Sequence, residues 1–468
     1  MIDNNTICAI ATAPGGAIGI IRVSGEEAIT IADRIFRPVG NKQNLSERKP
    51  YTLAFGNIVN ADNDIIDEVL VSVFHAPHSY TGENSVEISC HGSTYILQQV
   101  MMLLTDNGCR PAGPGEFTQR AFLNGKMDLS QAEAVADLIS SSNKATHDMA
   151  ISQLKGHFSN ELSNLRSQLL KLTSLLELEL DFSDHEELEF ADRSELRLLA
   201  ETIQQRISSL ANSFETGNAL KNGIPVAIVG NTNVGKSTLL NQLLHEEKAI
   251  VSNVHGTTRD CIEDTVNING IQFRFVDTAG IRKTDDLVEN IGIERTYKKM
   301  SEAKIVLWVI DRNPDDDELD DIMQHVAGKK LIVIRNKMDQ QSPECSNAND
   351  VRSDSFSLKN IDCPTIDISA KYGTNIPQLV QAIVAAADIR QLSETDVVVT
   401  SVRHYTALLH ANECLHRVLE SMNLGLSGDL LAEDLRMVID YLADITGDGR
   451  ISSQETLNNI FKNFCIGK

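Results

Sequence analysis

A chain of 468 residues is too long for one hydrophobic core, so about three domains are expected. Its 42% hydrophobic and 23% charged residues are those of a water-soluble globular protein. The net charge of −23 argues against a broadly basic surface, so any contact with RNA must be local or shared with a partner.

No apolar run reaches the length of about 18 residues that suggests a membrane span. The opening Met1-Ile2-Asp3-Asn4-Asn5 lacks the basic and then apolar pattern of a signal peptide, so a cytoplasmic protein is expected. Cys8, Cys90, Cys109, Cys261, Cys345, Cys363, Cys414 and Cys465 are scattered without a CxxC pair, which predicts reduced thiols rather than a zinc site.

Residues 6–12, 18–23, 51–59, 65–74 and 85–90 are short β-rich runs, with helical stretches near 26–36 and 93–106. They predict an α+β domain over residues 1–127. A turn-rich segment, Arg110-Pro111-Ala112-Gly113-Pro114-Gly115, follows. Ser130-Gln131-Ala132-Glu133 then has capping-box form and predicts the start of a helical region over 128–220. Within it Phe158, Leu162, Leu165, Leu169, Leu172 and Leu176 form one apolar seam. After an acidic break at 181–189, Leu196, Leu199, Ile203, Ile207 and Leu210 continue the theme. Helical periodicity returns in 389–468, with Leu431, Leu435, Val438 and Leu442 on one face. A lone helical tail would leave that stripe without partners. The simplest arrangement is therefore one helical domain interrupted by an α/β domain at 221–388.

In that insertion the apolar run 226–229 breaks into Gly230-Asn231-Thr232-Asn233-Val234-Gly235-Lys236-Ser237-Thr238. This is GxxxxGK[ST] between a strand and a helix. Backbone N–H groups of such a turn converge on phosphate oxygens, and the helix adds its positive end. Lys236 is placed to reach the β- and γ-phosphates, and the Ser237 hydroxyl to coordinate Mg2+. Residues 273–276 read as a strand ending in Asp277-Thr278-Ala279-Gly280, where Asp277 can hold Mg2+ through water and the Gly280 N–H can meet the γ-phosphate. Between these motifs lies Ser252-Asn253-Val254-His255-Gly256-Thr257-Thr258-Arg259-Asp260. Thr258 is assigned as the Mg2+ ligand that closes only when the γ-phosphate is present.

An apolar strand at 331–334 precedes Asn336-Lys337-Met338-Asp339, and Ser369-Ala370-Lys371 follows a second one. The Asp339 carboxylate can accept from guanine N1–H and N2–H2 together, a match adenine cannot return. GTP is the expected ligand, held at the carboxyl ends of the strands of a Ras-like parallel sheet. Ile281 occupies the place where Ras-like GTPases carry a water-orienting glutamine. Hydrolysis then needs a substitute acid or base and positive charge on the transition state. Glu289 and Arg282 are near enough in sequence to serve, and each reads equally well as a surface residue.

Three signatures resemble the MnmE/TrmE tRNA-modification GTPases over nearly the whole chain. They are Pro114-Gly115-Glu116-Phe117-Thr118-Gln119-Arg120-Ala121-Phe122-Leu123-Asn124-Gly125-Lys126, the inserted GTPase with Gly256-Thr257-Thr258-Arg259-Asp260, and the terminal Cys465-Ile466-Gly467-Lys468. The resemblance implies an N-terminal folate-binding domain, a homodimer formed through it, and a heterotetramer with an FAD- and NADH-dependent protein of the MnmG/GidA type. It implies that the pair attaches an aminomethyl or carboxymethylaminomethyl group to C5 of the wobble uridine in certain tRNAs. The carbon would come from a 5-formyl or 5,10-methylene tetrahydrofolate.

Carried onto this sequence, the family's K+ ligand falls on Asn233, with backbone around Ser252, Val254 and Thr257. Potassium then replaces an arginine finger, and Glu289 positions the attacking water. Arg22, Glu87, Lys126 and Lys468 match the folate positions, and Cys465 is a reactive thiol or, by the preferred reading, a packed one. A non-enzymatic GTPase switch in ribosome assembly is the alternative that the GTPase motifs alone leave open. The paired N- and C-terminal signatures argue against it.

Overall fold

The computed structural model describes residues 5–13, 15–40, 43–181, 193–246, 263–276, 300–340, 363–388, 397–426, 428–448, 457, 460–462, 464 and 467. The chain forms two compact units. One comprises Met1–Ser140, Ala150–Ser209 and Thr406–Lys468, and the other Ser141–Met149 and Leu210–Tyr405.

The N-terminal region contains β1 (Ile7–Ile10), β2 (Ile18–Ser24), α1 (Ala28–Ile35), β3 (Phe36–Pro38), β4 (Thr52–Val59), β5 (Ile65–Phe74), β6 (Ser85–His91), α2 (Thr94–Asp106) and β7 (Arg110–Pro111). Its seven-stranded sheet runs β3-β4-β5-β6-β2-β1-β7, antiparallel apart from the β1–β7 pair. Alternation sends Val69, Val71 and Val73 of β5 to one face, where Ile31 and Ile35 of α1 and Leu97, Val100 and Leu104 of α2 join one core cluster. Burying each such side chain is worth roughly 1.5–3 kcal/mol. The short β3 and β7 were not anticipated, since neither is long enough to show alternation.

Next come α3 (Glu116–Leu123) and α4 (Leu129–Ser140). The capping box expected at Ser130 and Glu133 is corrected by two residues. Asp128 Oδ1 accepts the Gln131 N–H at 2.9 Å, and Gln131 Oε1 accepts the Asp128 N–H at 2.9 Å. That reciprocal pair starts α4. The Ser130 hydroxyl instead donates to Asp128 at 2.8 Å and is buried. Following are α5 (Lys144–Leu154), α6 (His157–Asp181) and α7 (Arg193–Asn222). The seam from Phe158 to Leu176 is buried along α6 as the periodicity predicts.

The nucleotide fold contains β8 (Ile224–Val229), α8 (Lys236–Glu246), β9 (Glu263–Ile268), β10 (Ile271–Val276), β11 (Ile305–Ile310), α9 (Asp316–Val326), β12 (Lys330–Arg335), β13 (Thr365–Asp367) and α10 (Ile376–Ala387). The sheet order is β13-β12-β11-β8-β10-β9, parallel except for edge strand β9. Both faces of β11 are covered, so its sequence Ile-Val-Leu-Trp-Val-Ile is apolar throughout. Ile305, Leu307 and Val309 join one core with α8 and α10, whereas Val306, Trp308 and Ile310 join the other with Val326 of α9.

After the nucleotide fold come α11 (Val402–Asn423) and α12 (Gly428–Thr446). Leu431, Leu435, Val438 and Leu442 are buried, and α12 packs on α6, so helices before and after the nucleotide fold share one layer. Among the described residues no helix is long and apolar enough to cross a membrane.

A charged network fixes the start of α3. Arg110 donates to Glu116 Oε1 at 2.6 Å and the Gly113 N–H to Oε2 at 2.8 Å, while Arg120 bridges Glu116 and Glu83 at 3.1 Å each. Burial pushes the Glu116 carboxyl up, but the Arg110 and Gly113 hydrogen bonds and the charges of Arg110 and Arg120 outweigh it and hold its pKa below the ordinary value. A depressed folded-state pKa stabilises above the unfolded value, about 4.3, and is lost as pH falls towards the folded one. Glu116→Gln is expected to remove about 1–3 kcal/mol at pH 7 and to flatten the loss of stability below pH ~4.3. Urea unfolding followed between neutral and acidic pH checks both; an unchanged acid limb would refute the assignment.

Candidate functional site

Strand β8 delivers the chain to Gly230, whose φ of 147° and surroundings demand glycine. A Cβ there would lie 2.1 Å from the Val309 carbonyl oxygen of β11. Asn233 sits at φ 62°, a left-handed conformation that asparagine tolerates, with its side chain exposed. Val234 is buried and anchors the turn. Gly235, at φ 100°, passes so close to Asn336 that a Cβ would lie 2.2 Å from its Nδ2. The first helical bond, Leu239 N–H to the Gly235 carbonyl at 2.9 Å, then starts α8. Lys236 Nζ donates to the Gly230 and Asn231 carbonyls at 2.7 Å each, which holds the ammonium across the loop. Ser237 and Thr238 are exposed on the first turn of α8.

The second half is built at the ends of β11 and β12. Asn336 is 6% exposed and uses its whole amide. Its Nδ2 donates to the Val234 carbonyl at 2.7 Å, and its Oδ1 accepts the Ala370 N–H at 2.9 Å. Its own N–H donates to the Ile310 carbonyl at 2.8 Å. Ser369 Oγ donates to Asp339 Oδ1 at 2.7 Å, which orients that carboxylate. Lys337, at φ 67°, pairs with Asp311 at 2.7 Å, and the Lys371 ammonium lies 5.1 Å from the Tyr372 ring centroid. A phosphate-cradling turn, a fixed carboxylate and lysine stems are thus tied into one body that can hold the two ends of a guanine nucleotide. A cavity of about 180 Å³ beside the turn is lined in part by Asn231, Asp311, Arg312 and Glu318. Asn231 donates to Glu318 at 2.8 Å, and Arg312 pairs with Glu318 at 2.7 Å.

In the N-terminal sheet Arg22 of β2 stands in register with Glu87 of β6, and the two form an ion pair at 2.8 Å. Arg22 also donates to the Gly467 carbonyl at 3.2 Å, and its guanidinium lies 5.4 Å and 5.7 Å from the ring centroids of Tyr80 and Phe117. Burial raises the Tyr80 pKa, and its hydroxyl lies 2.8 Å from Thr118 Oγ1. Lys126 Nζ donates to the Pro77 carbonyl at 3.0 Å. A cation edge, a carboxylate and the partly exposed Tyr80 ring suit a planar polar ligand, while the fully buried Phe117 packs in the core.

Ser252, Asn253, Val254, His255, Gly256, Thr257, Thr258, Asp277, Thr278, Ala279, Gly280, Arg282, Glu289, Cys465 and Lys468 lie outside the described residues. Sequence reasoning missed Asp311, Glu318, Tyr80 and Phe117 as neighbours of these sites, because each meets its partner only through the fold. Among the described residues no three His, Cys, Asp or Glu side chains converge as a metal site.

Residues 6–126 match the family described as GTP-binding protein TrmE N-terminus, and residues 129–465 match the MnmE helical domain. A tRNA modification GTPase MnmE of Bacteroides fragilis is 57% identical over 471 residues and covers 100% of both chains. That of Phocaeicola vulgatus is 55% identical over 508 residues, again covering 100% of both. The Porphyromonas gingivalis protein of the same name is 48% identical, covering 100% of this chain and 98% of its own.

Asn336→Ala removes the amide that joins the phosphate-loop and base-loop backbones. With two buried hydrogen bonds lost at about 1 kcal/mol each, guanine nucleotide affinity should fall at least about tenfold. Fluorescence titration with a labelled nucleotide measures this, and an unaltered Kd would contradict the bridging role.

Proposed function

Because the chain belongs to the MnmE family of tRNA modification GTPases, we propose that it is a K+-stimulated GTPase acting with an FAD-dependent MnmG/GidA-type partner. Together they install an aminomethyl or carboxymethylaminomethyl group on C5 of the wobble uridine of certain tRNAs. The observation that carries the GTPase reading is the Asn336 amide, which joins the phosphate turn to the loop bearing Ser369, the residue that orients Asp339. A net charge of −23 supports sharing the tRNA contact with a partner.

The donors fit hard cations, since Ser237 offers a hydroxyl and Asn233 an amide oxygen, both exposed at the turn. Ser237 with Thr258 would hold Mg2+, and Asn233 with backbone around Ser252, Val254 and Thr257 would hold K+. When bound, the two ions supply the positive charge that offsets negative charge on the transferring phosphoryl group. Lys236 contributes a fixed ammonium to the same end, and the Asp339 carboxylate selects guanine. Glu289 would orient the attacking water, a role Ile281 cannot fill.

The N-terminal domain would bind a tetrahydrofolate one-carbon donor and carry a homodimer contact. Arg22, Glu87, Lys126 and Lys468 are its proposed folate residues. The Arg22–Glu87 pair and the adjacent, partly exposed Tyr80 ring support the reading, because a pteridine is planar and rich in hydrogen-bonding groups.

GTP turnover by the full chain should rise strongly when Na+ is replaced by K+, and Asn233→Ala should abolish the rise. Glu289→Ala should retain GTP affinity while kcat falls about 100-fold or more. A deletion strain should yield tRNA with unmodified C5 at the wobble uridine; normal nucleosides there would defeat the tRNA reading.

A further inference from the structure

The loop after β12 turns at Lys337, whose φ of 67° is left-handed and uncommon for a residue with a long side chain. Its neighbours hold that turn in place. The Asn336 N–H donates to the Ile310 carbonyl at 2.8 Å, and the Met338 N–H donates to the Ile368 carbonyl at 3.2 Å. The chain is thus tied to the end of β11 on one side of Lys337 and to the residue after β13 on the other. The Lys337 ammonium donates to Asp311 Oδ2 at 2.7 Å. Since Asp311 directly follows Ile310, two adjacent residues at the end of β11 hold the backbone of Asn336 and the side chain of Lys337. Arg312, the cation next to Asp311 in sequence, is engaged by Glu318 at 2.7 Å.

The pair occupies the middle of the nucleotide unit. Sheet order β12-β11-β8 places Asp311 between the strand that delivers the base loop and the strand that delivers the phosphate turn, and it lines the cavity beside Gly230 and Asn231. Lys337 stands between Asn336, which bonds the phosphate turn, and Asp339, the carboxylate proposed to read guanine. An unanchored lysine has a flexible four-carbon stem, and ordering that stem against a ligand would weaken binding. With the ammonium held by Asp311, ordering precedes the nucleotide, and the stem is a fixed apolar surface.

We propose that Asp311 is a positioning residue for nucleotide affinity, holding Lys337 so that the lysine stem forms one wall of the guanine site. It acts through Lys337 and touches neither base nor phosphate. The proposal rests on the GTPase reading above and adds to it a residue outside the nucleotide-binding motifs.

Asp311→Asn keeps the side-chain shape and removes the charge that holds the ammonium. In the full chain with Mg2+ and K+, the Kd values for GDP and for a non-hydrolysable GTP analogue should rise by the same factor, about threefold to fivefold, because the held stem serves the base end. KM for GTP should rise with them while kcat at saturation holds within about twofold. Lys337→Met keeps an apolar stem without the ammonium, and in that background Asp311→Asn should add less than about 1.5-fold. Three results would overturn the proposal: Kd values within about 1.3-fold of the parent in Asp311→Asn, a loss confined to the GTP analogue, or the full loss repeated in the Lys337→Met background. Should Asp311→Asn not fold, Lys337→Met reads the pair from its other end, where parent Kd values for both nucleotides overturn it. A parent chain that retains neither nucleotide would instead defeat the GTPase reading.

Discussion

The nucleotide unit depends on one buried carboxamide. Asn336 reaches Val234, 102 residues earlier, and Ala370, 34 residues later, so loops that share no local sequence are drawn to one point. Backbone pairing does only part of this: the Met338 N–H donates to the Ile368 carbonyl at 3.2 Å and so joins the loops after β12 and β13, but among the described residues no backbone bond from either loop reaches the phosphate turn. A side chain with one donor end and one acceptor end can. Buried at 6% exposure, the amide cannot exchange its partners for water without leaving a polar group unsatisfied, so the loops are held in register before any ligand arrives. Gly235 follows from the same contact, since its neighbour's Nδ2 leaves no room for a Cβ.

The N-terminal sheet solves a similar problem with charge. Arg120 is 4% exposed and is tolerated there because Glu83, Glu116 and the Asn5 carbonyl all accept from it. An isolated guanidinium at that depth would carry a desolvation penalty of several kcal/mol. The network orients α3, whose Phe117 ring faces Arg22, while Gly467 passes within 2.6 Å of Ile10 if measured from a Cβ built on it. Gly467 therefore lies beside the first two strands.

Much of the architecture was legible because it rests on periodicity. The seam of α6, the stripe of α12 and the unbroken apolar run of β11 all report which faces are covered. The start of α4 was misread because Ser130-Gln131-Ala132-Glu133 and Asp128 with Gln131 both satisfy the capping pattern, and only burial of Ser130 separates them. At the site, the phosphate turn and the Asn336-Lys337-Met338-Asp339 motif are local patterns of residue and spacing. The partners of those motifs are not. Nothing in the sequence near Lys337 announces Asp311, and nothing near Arg22 announces Tyr80 or Phe117, because these pairings are products of strand order.

Lys236 shows how the site can accept a polyanion without first creating an unsatisfied charge. Its ammonium already donates to two loop carbonyls at 2.7 Å, so ligand capture is an exchange of partners. Phosphate oxygens are anionic acceptors, so each new contact of the ammonium is an ion pair as well as a hydrogen bond, and the exchange favours the ligand. The released carbonyls of Gly230 and Asn231 lie at the loop mouth, where water can reach them at little penalty. Meanwhile Asn336 keeps the turn from relaxing as its lysine lets go. In the proposed scheme binding selectivity resides at the base end, where the Ser369-oriented carboxylate has to find two N–H donors. Affinity in that scheme resides at the phosphate end, whose geometry is set by two glycines and one asparagine before any charge arrives.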